Sequence, residues 1–355
     1  MPKLQFNNFT YITEQSLDFG KGLKIEYNIE KPQSVYKYYY PSKYNIDSLT
    51  NCEFFCSHPY QFNDLTDSNP LSYDYRNFQF DDFKGLYLTL GNITIDQIKK
   101  MYDEDKLNGF KTYRMHFYSI LTQHLGIVCV STNEMHNLMW GYYASDAGFK
   151  IKYNTQSLLE SIKDLNKLNY LFFPINYIEN KLHVDVNQYG PSIPMLVDIS
   201  TKVKHWKHEN EWRIVVSKND MDVPSSLVTP HLKDHIGRDS RLIKFSPNTI
   251  EEIVFGMNFF NGRICNIIAN VSPTENLMEI NNESFTSFLK FVSHELQDKC
   301  YMSGIFTDIE NPIYEGASPI ERSVEEVKIK HINNNIFSIQ RINPGYCKRF
   351  PNIFD

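Results

Sequence analysis

Glu209 and Glu211 lie two residues apart in the stretch Lys202 to Ser217, KVKHWKHENEWRIVVS. Alternate side chains on an extended chain share a face, so a strand that takes in Glu209 turns both carboxylates into one space. Carboxylates that close raise one another's pKa, which is what acid/base chemistry requires. The bland alternative is equally physical: Arg213 is on the same face as Glu211 and can simply pair with it. About one Glu-x-Glu is expected by chance in a chain this long, so the spacing needs support from elsewhere.

The same stretch carries His205, His208, Trp206 and Trp212. On a helix His205 and Glu209 share a face, but there is no H-E-x-x-H, and a lone helical histidine is usually a packing or surface residue. Asn63, Asp64 and Asp67 cluster oxygen ligands of the kind a hard cation takes. Asn and Asp in a turn more often bond their own backbone, so no metal is expected. Trp140, Trp206 and Trp212 offer faces on which a nicotinamide or nucleobase would stack, set against an ordinary core role. Neither a G-x-S-x-G elbow nor a glycine-rich phosphate loop occurs.

The elements that must position these groups follow from periodicity and punctuation. Strands are expected at Ser34 to Tyr40, Glu53 to Cys56, Ile127 to Val130, Phe149 to Tyr153, Arg241 to Phe245, Glu252 to Phe255 and Asn276 to Ile280. An antiparallel pair is expected from Tyr170 to Tyr177 with Leu182 to Val186. Helices are expected at Thr94 to Leu107, stopping at Asn108-Gly109, and at Tyr113 to Leu125. Ser131 with Glu134 reads as a capping box launching a helix through Leu138-Met139-Trp140, which makes Ser131 an N-cap before it is anything catalytic. Thr155 is expected to cap the next helix. Further helices are expected at Pro194 to His208, Phe259 to Asn270 and Ser284 to Leu296. The organisation expected is an N-terminal arm (1–33), one main α+β domain (34–297) with a mixed, partly antiparallel central sheet flanked by helices, and a C-terminal extension (298–355) with a small β element.

Several fragments in this order resemble the bacterial domain of unknown function 2971 family. They are Tyr36-Lys37-Tyr38, Ser57 with Pro59 and Phe62-Asn63-Asp64, Ser131 with Leu138-Met139-Trp140 and Tyr143, Gly148-Phe149 with Ile151, Trp206 with Glu209-Asn210-Glu211-Trp212-Arg213, and Ile250 to Gly256. Leu65-Thr66 stand where the family has Pro-Phe. That family name carries no activity. The order of basic strand, serine strand and Glu-x-Glu strand is also similar to the signature of ADP-ribosyltransferases. That similarity implies an NAD site with Glu211 stabilising an oxocarbenium-like transition state, Glu209 beside it, Ser131 supporting the site and Lys37 on phosphate. The cleft expected around them takes in Tyr38, Asn63, Asp64, Trp140, Tyr143 and Arg213. A toxin or phage-defence effector role follows from the kind of family alone.

Composition bounds the rest. The 355 residues include 41% hydrophobic and 14% aromatic residues with a formal net charge of −6, so the chain can bury a large core and has no overall basic field for nucleic acid or anionic lipid. Six scattered cysteines, only Cys52 and Cys56 being close, read as buried free thiols of a reducing cytoplasm. No apolar run is long enough to cross a membrane. Three functions stay open: an NAD-using transferase on an unknown macromolecular or nucleotide substrate, a non-catalytic nucleotide or nucleic-acid binding module, and a metal-dependent nuclease using Asp64, Asp67 and the glutamates.

Overall fold

The computed structural model describes residues 2–14, 22–62, 64–88, 93–221, 239–306, 321–342 and 348–350. Contacts divide the chain into two interleaved units: Met1–Glu30, Phe55–Cys129 and Leu168–Leu242 form the first, and Lys31–Phe54, Val130–Lys167 and Ile243–Asp355 the second. Helices and strands are mixed throughout, in keeping with the α+β class.

In the first unit, strand Glu211–Ser217 runs between Leu125–Ser131 and Tyr170–Pro174. Its pairing with Tyr170–Pro174 is antiparallel and sets Trp212 opposite Pro174 and Arg213 opposite Phe173. The strands Lys3–Phe6, Phe9–Thr13 and Leu23–Tyr27 form a separate antiparallel sheet. The apolar core beneath them gathers Phe9, Tyr11, Phe173, Leu196, Val197 and Val215. Expected helices 94–107 and 113–125 are one helix, Ile95–Thr122, capped by reciprocal bonds between Thr94 and Gln97. Gly109 does not end it, because this glycine serves packing: a Cβ there would meet the Phe83 ring at 2.6 Å.

The helix expected at 194–208 stops early. Ser192–Ser200 is helical and wholly buried, after which Thr201–Val203 turns extended and pairs in parallel with Asn176–Ile178. Thr201 and Val203 are β-branched and favour that change. Lys204–Glu209 is a 3-10 turn ending on Asn210, whose backbone is left-handed at φ 42°. That break delays the strand until Glu211, so Glu209 lies outside it. Tyr170–Pro174 and Val184–Asp185 do not pair with each other either; the second runs parallel to Tyr73–Asp74.

The second unit is built on a mixed sheet. Its neighbour order is Cys265–Ser272, Glu275–Ile280, Ile336–Arg341, Glu321–Asn333, Cys300–Phe306, Ile250–Phe255, Phe149–Asn154 and Ser34–Tyr39. Ile250–Phe255 with Cys300–Phe306 is parallel, and the other pairings along this order are antiparallel. Ser131 faces Tyr36. Cys265–Ser272 stands where a helix was expected: Ile267, Ile268 and Val271 suit a strand, and the turn around Pro273 folds it back on Glu275–Ile280. Ser131 caps no helix. Its Oγ accepts from Asn133 N at 2.9 Å in a serine turn, and His136 caps the short helix Asn137–Met139. Among the described residues no helix is long and apolar enough to cross a membrane.

Candidate functional site

The residues of the Glu-x-Glu stretch meet in the first unit, inside the protein. Because Glu211 opens the strand, it and Arg213 point to one face while Trp212 points to the other, where its ring packs on Phe172 at 4.8 Å and edge-on to Tyr27 at 5.7 Å. Arg213 is fully buried at 0% exposure and Glu211 is 5% exposed. The guanidinium donates Nε to Glu211 Oε1 at 2.6 Å, one terminal nitrogen to Ser68 Oγ at 2.8 Å and Ile199 O at 2.9 Å, and the other to Asp67 Oδ2 at 2.7 Å. Phe62 covers its face at 4.9 Å.

A second cation closes the cluster. Lys202, turned inward by the extended Thr201–Val203 segment, places Nζ 2.5 Å from Glu209 Oε2, 3.1 Å from Glu211 Oε2 and 3.6 Å from Asp67 Oδ2. Glu209, though outside the strand, is therefore brought to Glu211 through a shared lysine. Two cations face three carboxylates with all five side chains buried, so ionisation is held by mutual pairing. Burial alone would raise the Glu211 pKa; Arg213, Lys202 and a hydrogen bond with Cys129 outweigh it and hold the carboxyl far below its usual range. Burial pulls Lys202 down, and Glu211, Glu209 and Asp67 more than restore it. Tyr177 completes the frame by accepting from Glu211 N at 2.9 Å.

Such a cluster can hold a fixed negative charge, but a glutamate kept ionised this firmly is a poor proton donor. Asp64 lies in the same unit and uses Oδ1 on Thr66 N and Oγ1, the local turn its sequence suggests. Asn63 lies outside the described residues. Among the described residues, no group of three or more His, Cys, Asp or Glu side chains is arranged to hold a metal ion. The sequence reading missed Lys202, Ser68 and Tyr177. Lys202 was visible in KVKH, but its inward direction depends on the helix ending at Ser200.

The Lys204–Glu209 turn carries the edge of the clasp to solvent. Lys204, His205 and Lys207 are exposed, and Trp206 and His208 are half-buried. The Trp206 and His208 rings are 5.9 Å apart, and Lys202 Nζ lies 4.9 Å from the Trp206 centroid. Beyond the clasp, Asp198 is wholly buried on the Ser192–Ser200 helix and accepts from Ser72 N at 3.1 Å. Burial raises its pKa to about 7 against the opposing pull of Lys181. Its sequence signal was a single acid inside the apolar run Pro194 to Ile199.

The other expected site residues, Lys37, Tyr38, Ser131, Trp140 and Tyr143, belong to the second unit. Trp140 has no exposure; it packs edge-on to Tyr38 at 5.5 Å, with the Arg322 guanidinium 5.2 Å from its ring. Arg322 also bonds Asn137 Oδ1 at 2.6 Å and pairs with Asp146 at 2.7 Å. Tyr38 donates to the Asn133 or Glu134 carbonyl at 3.0 and 2.9 Å. Lys37 is half-buried with Nζ 5.6 Å from the Tyr39 ring, and Tyr143 packs at the edge of the Trp140 cluster.

Compared with known families, residues 139–214 match the one described as a protein of unknown function, DUF2971. This is the family the sequence resembles, and its description assigns no activity. The matched span includes both Trp140 and the Glu209–Arg213 segment. No curated protein and no solved structure matches the chain.

Proposed function

We propose that this chain works as a nucleotide-binding module and that its Glu-x-Glu-Trp-Arg segment is the module's frame. The observation carrying this reading is Trp206 itself, half-buried with its ring 4.9 Å from Lys202 Nζ at the edge of the clasp, on a turn whose Lys204, His205 and Lys207 are exposed. A partly open indole among cations suits a stacked base with its phosphate nearby. Trp140 and Trp212 are buried, so Trp206 is the tryptophan a ligand or quencher reaches. Titrating the protein with AMP and NAD should quench its fluorescence saturably, and Trp206→Leu should abolish the response. Quenching that persists in Trp206→Leu, or none in the wild type, overturns the reading.

An NAD-dependent ADP-ribosyltransferase-like reading has one observation behind it. Glu211 is held ionised by Arg213 and Lys202, the state needed to stabilise a cationic transition state. Against it stands the engagement of both carboxylate oxygens inside the protein. Labelled NAD incubated with cell lysate separates the two: transfer by the wild type that disappears in folded Glu211→Gln supports the enzyme, and no transfer supports the module.

A further inference from the structure

We propose that the open sheet edge Cys265–Ser272 of the second unit is a self-association surface, on which a second copy of this chain lays its own Cys265–Ser272 strand antiparallel about a twofold axis. The strand ends the sheet: Glu275–Ile280 lies on one side of it, and among the described residues nothing pairs with the other. Its outward N–H and C=O groups are therefore a template that another strand can complete.

Edges of this kind are ordinarily blunted by charge, proline, short length or a covering element. Cys265–Ser272 has eight residues, against roughly 5–6 for a usual strand, and none of them is charged, proline or glycine. Six in succession, Asn266 to Val271, are exposed. Ile267, Ile268 and Val271 are 59%, 48% and 56% exposed, in a strand whose β-branched residues suit pairing. Register shows what is missing. Phe337, Met278 and Ile267 stand side by side on one face; the first two are buried and the third is open, so the apolar layer runs out at the edge. A further strand continues it.

Charge and symmetry select a second copy as that strand. The acids of the adjoining strand are Glu275 and Glu279. Across the twofold they stand three strand spacings from their counterparts, about 14 Å, which exceeds the Debye length of about 8 Å at physiological salt. Two chains of net charge −6 can thus meet at this uncharged edge without close repulsion. An axis at Ala269, the smallest side chain of the strand, sets Ile267 of each copy against Val271 of the other. Such a pair fills both open edges and leaves neither, where a foreign strand would fill one. The register shifts at Ile268 and Val271 add twist, which suits a closed pair and resists a flat open stack. This surface is independent of the Trp206 reading, since its residues lie in the other unit.

Sedimentation equilibrium of the full chain at physiological salt, from low to high micromolar concentration, tests the assignment. A reversible monomer–dimer equilibrium with no larger species is expected. Ile267→Lys and Val271→Glu, both at exposed positions, should keep the wild-type denaturation midpoint at concentrations where all are monomeric. Each alone should weaken dimerisation at least tenfold, by burying a charge at the twofold contact. Mixing the two variants should restore it to within severalfold of wild type, because lysine then opposes glutamate in one contact and the original pair reforms in the other. Trp206→Leu should dimerise like the wild type. A wild type that stays monomeric or grows beyond the dimer, a dimer unaltered by both substitutions, or a mixture no tighter than either variant alone overturns the proposal.

Discussion

Glu211→Gln isolates the electrostatic contribution of the clasp. The amide keeps the size and can still accept from Arg213 Nε, but it removes one charge and is liable to turn an NH₂ toward Lys202 Nζ, now 3.1 Å from Oε2. Neither cation is orphaned: Lys202 keeps Glu209 at 2.5 Å, and Arg213 keeps Asp67 at 2.7 Å. The loss should therefore sit at the lower end of the cost of breaking a buried pair, about 3 kcal/mol. A matched control exists in Lys204–Glu179, also 2.6 Å apart but with side chains 53% and 69% exposed. Glu179→Gln should cost no more than about 0.5 kcal/mol. Denaturant unfolding of the three proteins at pH 7 gives the comparison directly. Because the folded Glu211 pKa lies below its usual value of 4.5, its contribution is present above pH 4.5 and is lost as pH falls, so the mutant should also have a flatter acid limb. A Glu211→Gln midpoint no lower than that of Glu179→Gln refutes the clasp.

Asp198 should give the opposite pH trend. Its carboxyl, raised by burial from 3.8 to about 7, favours folding below pH 4 and loses that advantage as pH rises to 7, a span worth on the order of 4 kcal/mol; stability measured across this range should flatten in Asp198→Asn, and an unchanged slope sinks the assignment. Gly148→Ala should destabilise by roughly 3 kcal/mol, since the added Cβ would meet the Tyr39 carbonyl oxygen at 1.9 Å and backbone must move; a wild-type denaturation midpoint would contradict that close approach.

Local pattern made the strands at Tyr36, Ile127, Phe149 and Glu252 legible, along with the helices Thr155–Asn166 and Glu283–Glu295, because periodicity is a property of neighbouring residues; the expected cap was wrong, since Asn154 caps the first of these helices and Thr155 is its first helical residue. It failed where tertiary packing chose. Asn108-Gly109 looks like a helix stop, yet Phe83 uses the missing Cβ and the helix continues. Ser131 and Glu134 have the spacing of a capping box, yet the chain waits until His136 to turn helical. At the candidate site, the shared face of Glu211 and Arg213 could be read from spacing. The direction of Lys202, the arrival of Asp67 from a distant loop and the burial of the whole cluster could not, since each depends on contacts far apart in sequence.

The alternation around Trp212 has a consequence for how the chain finds its fold. Sliding Glu211–Ser217 by one position against Tyr170–Pro174 would drive the indole among charged groups and press Glu211 and Arg213 onto the Phe172 and Tyr27 rings. Every misaligned pairing by an odd number of residues thus carries an unpaired ion in apolar surroundings. Glu-Trp-Arg acts as a key that fits the sheet in one alignment, selecting against wrong pairings while the strands assemble.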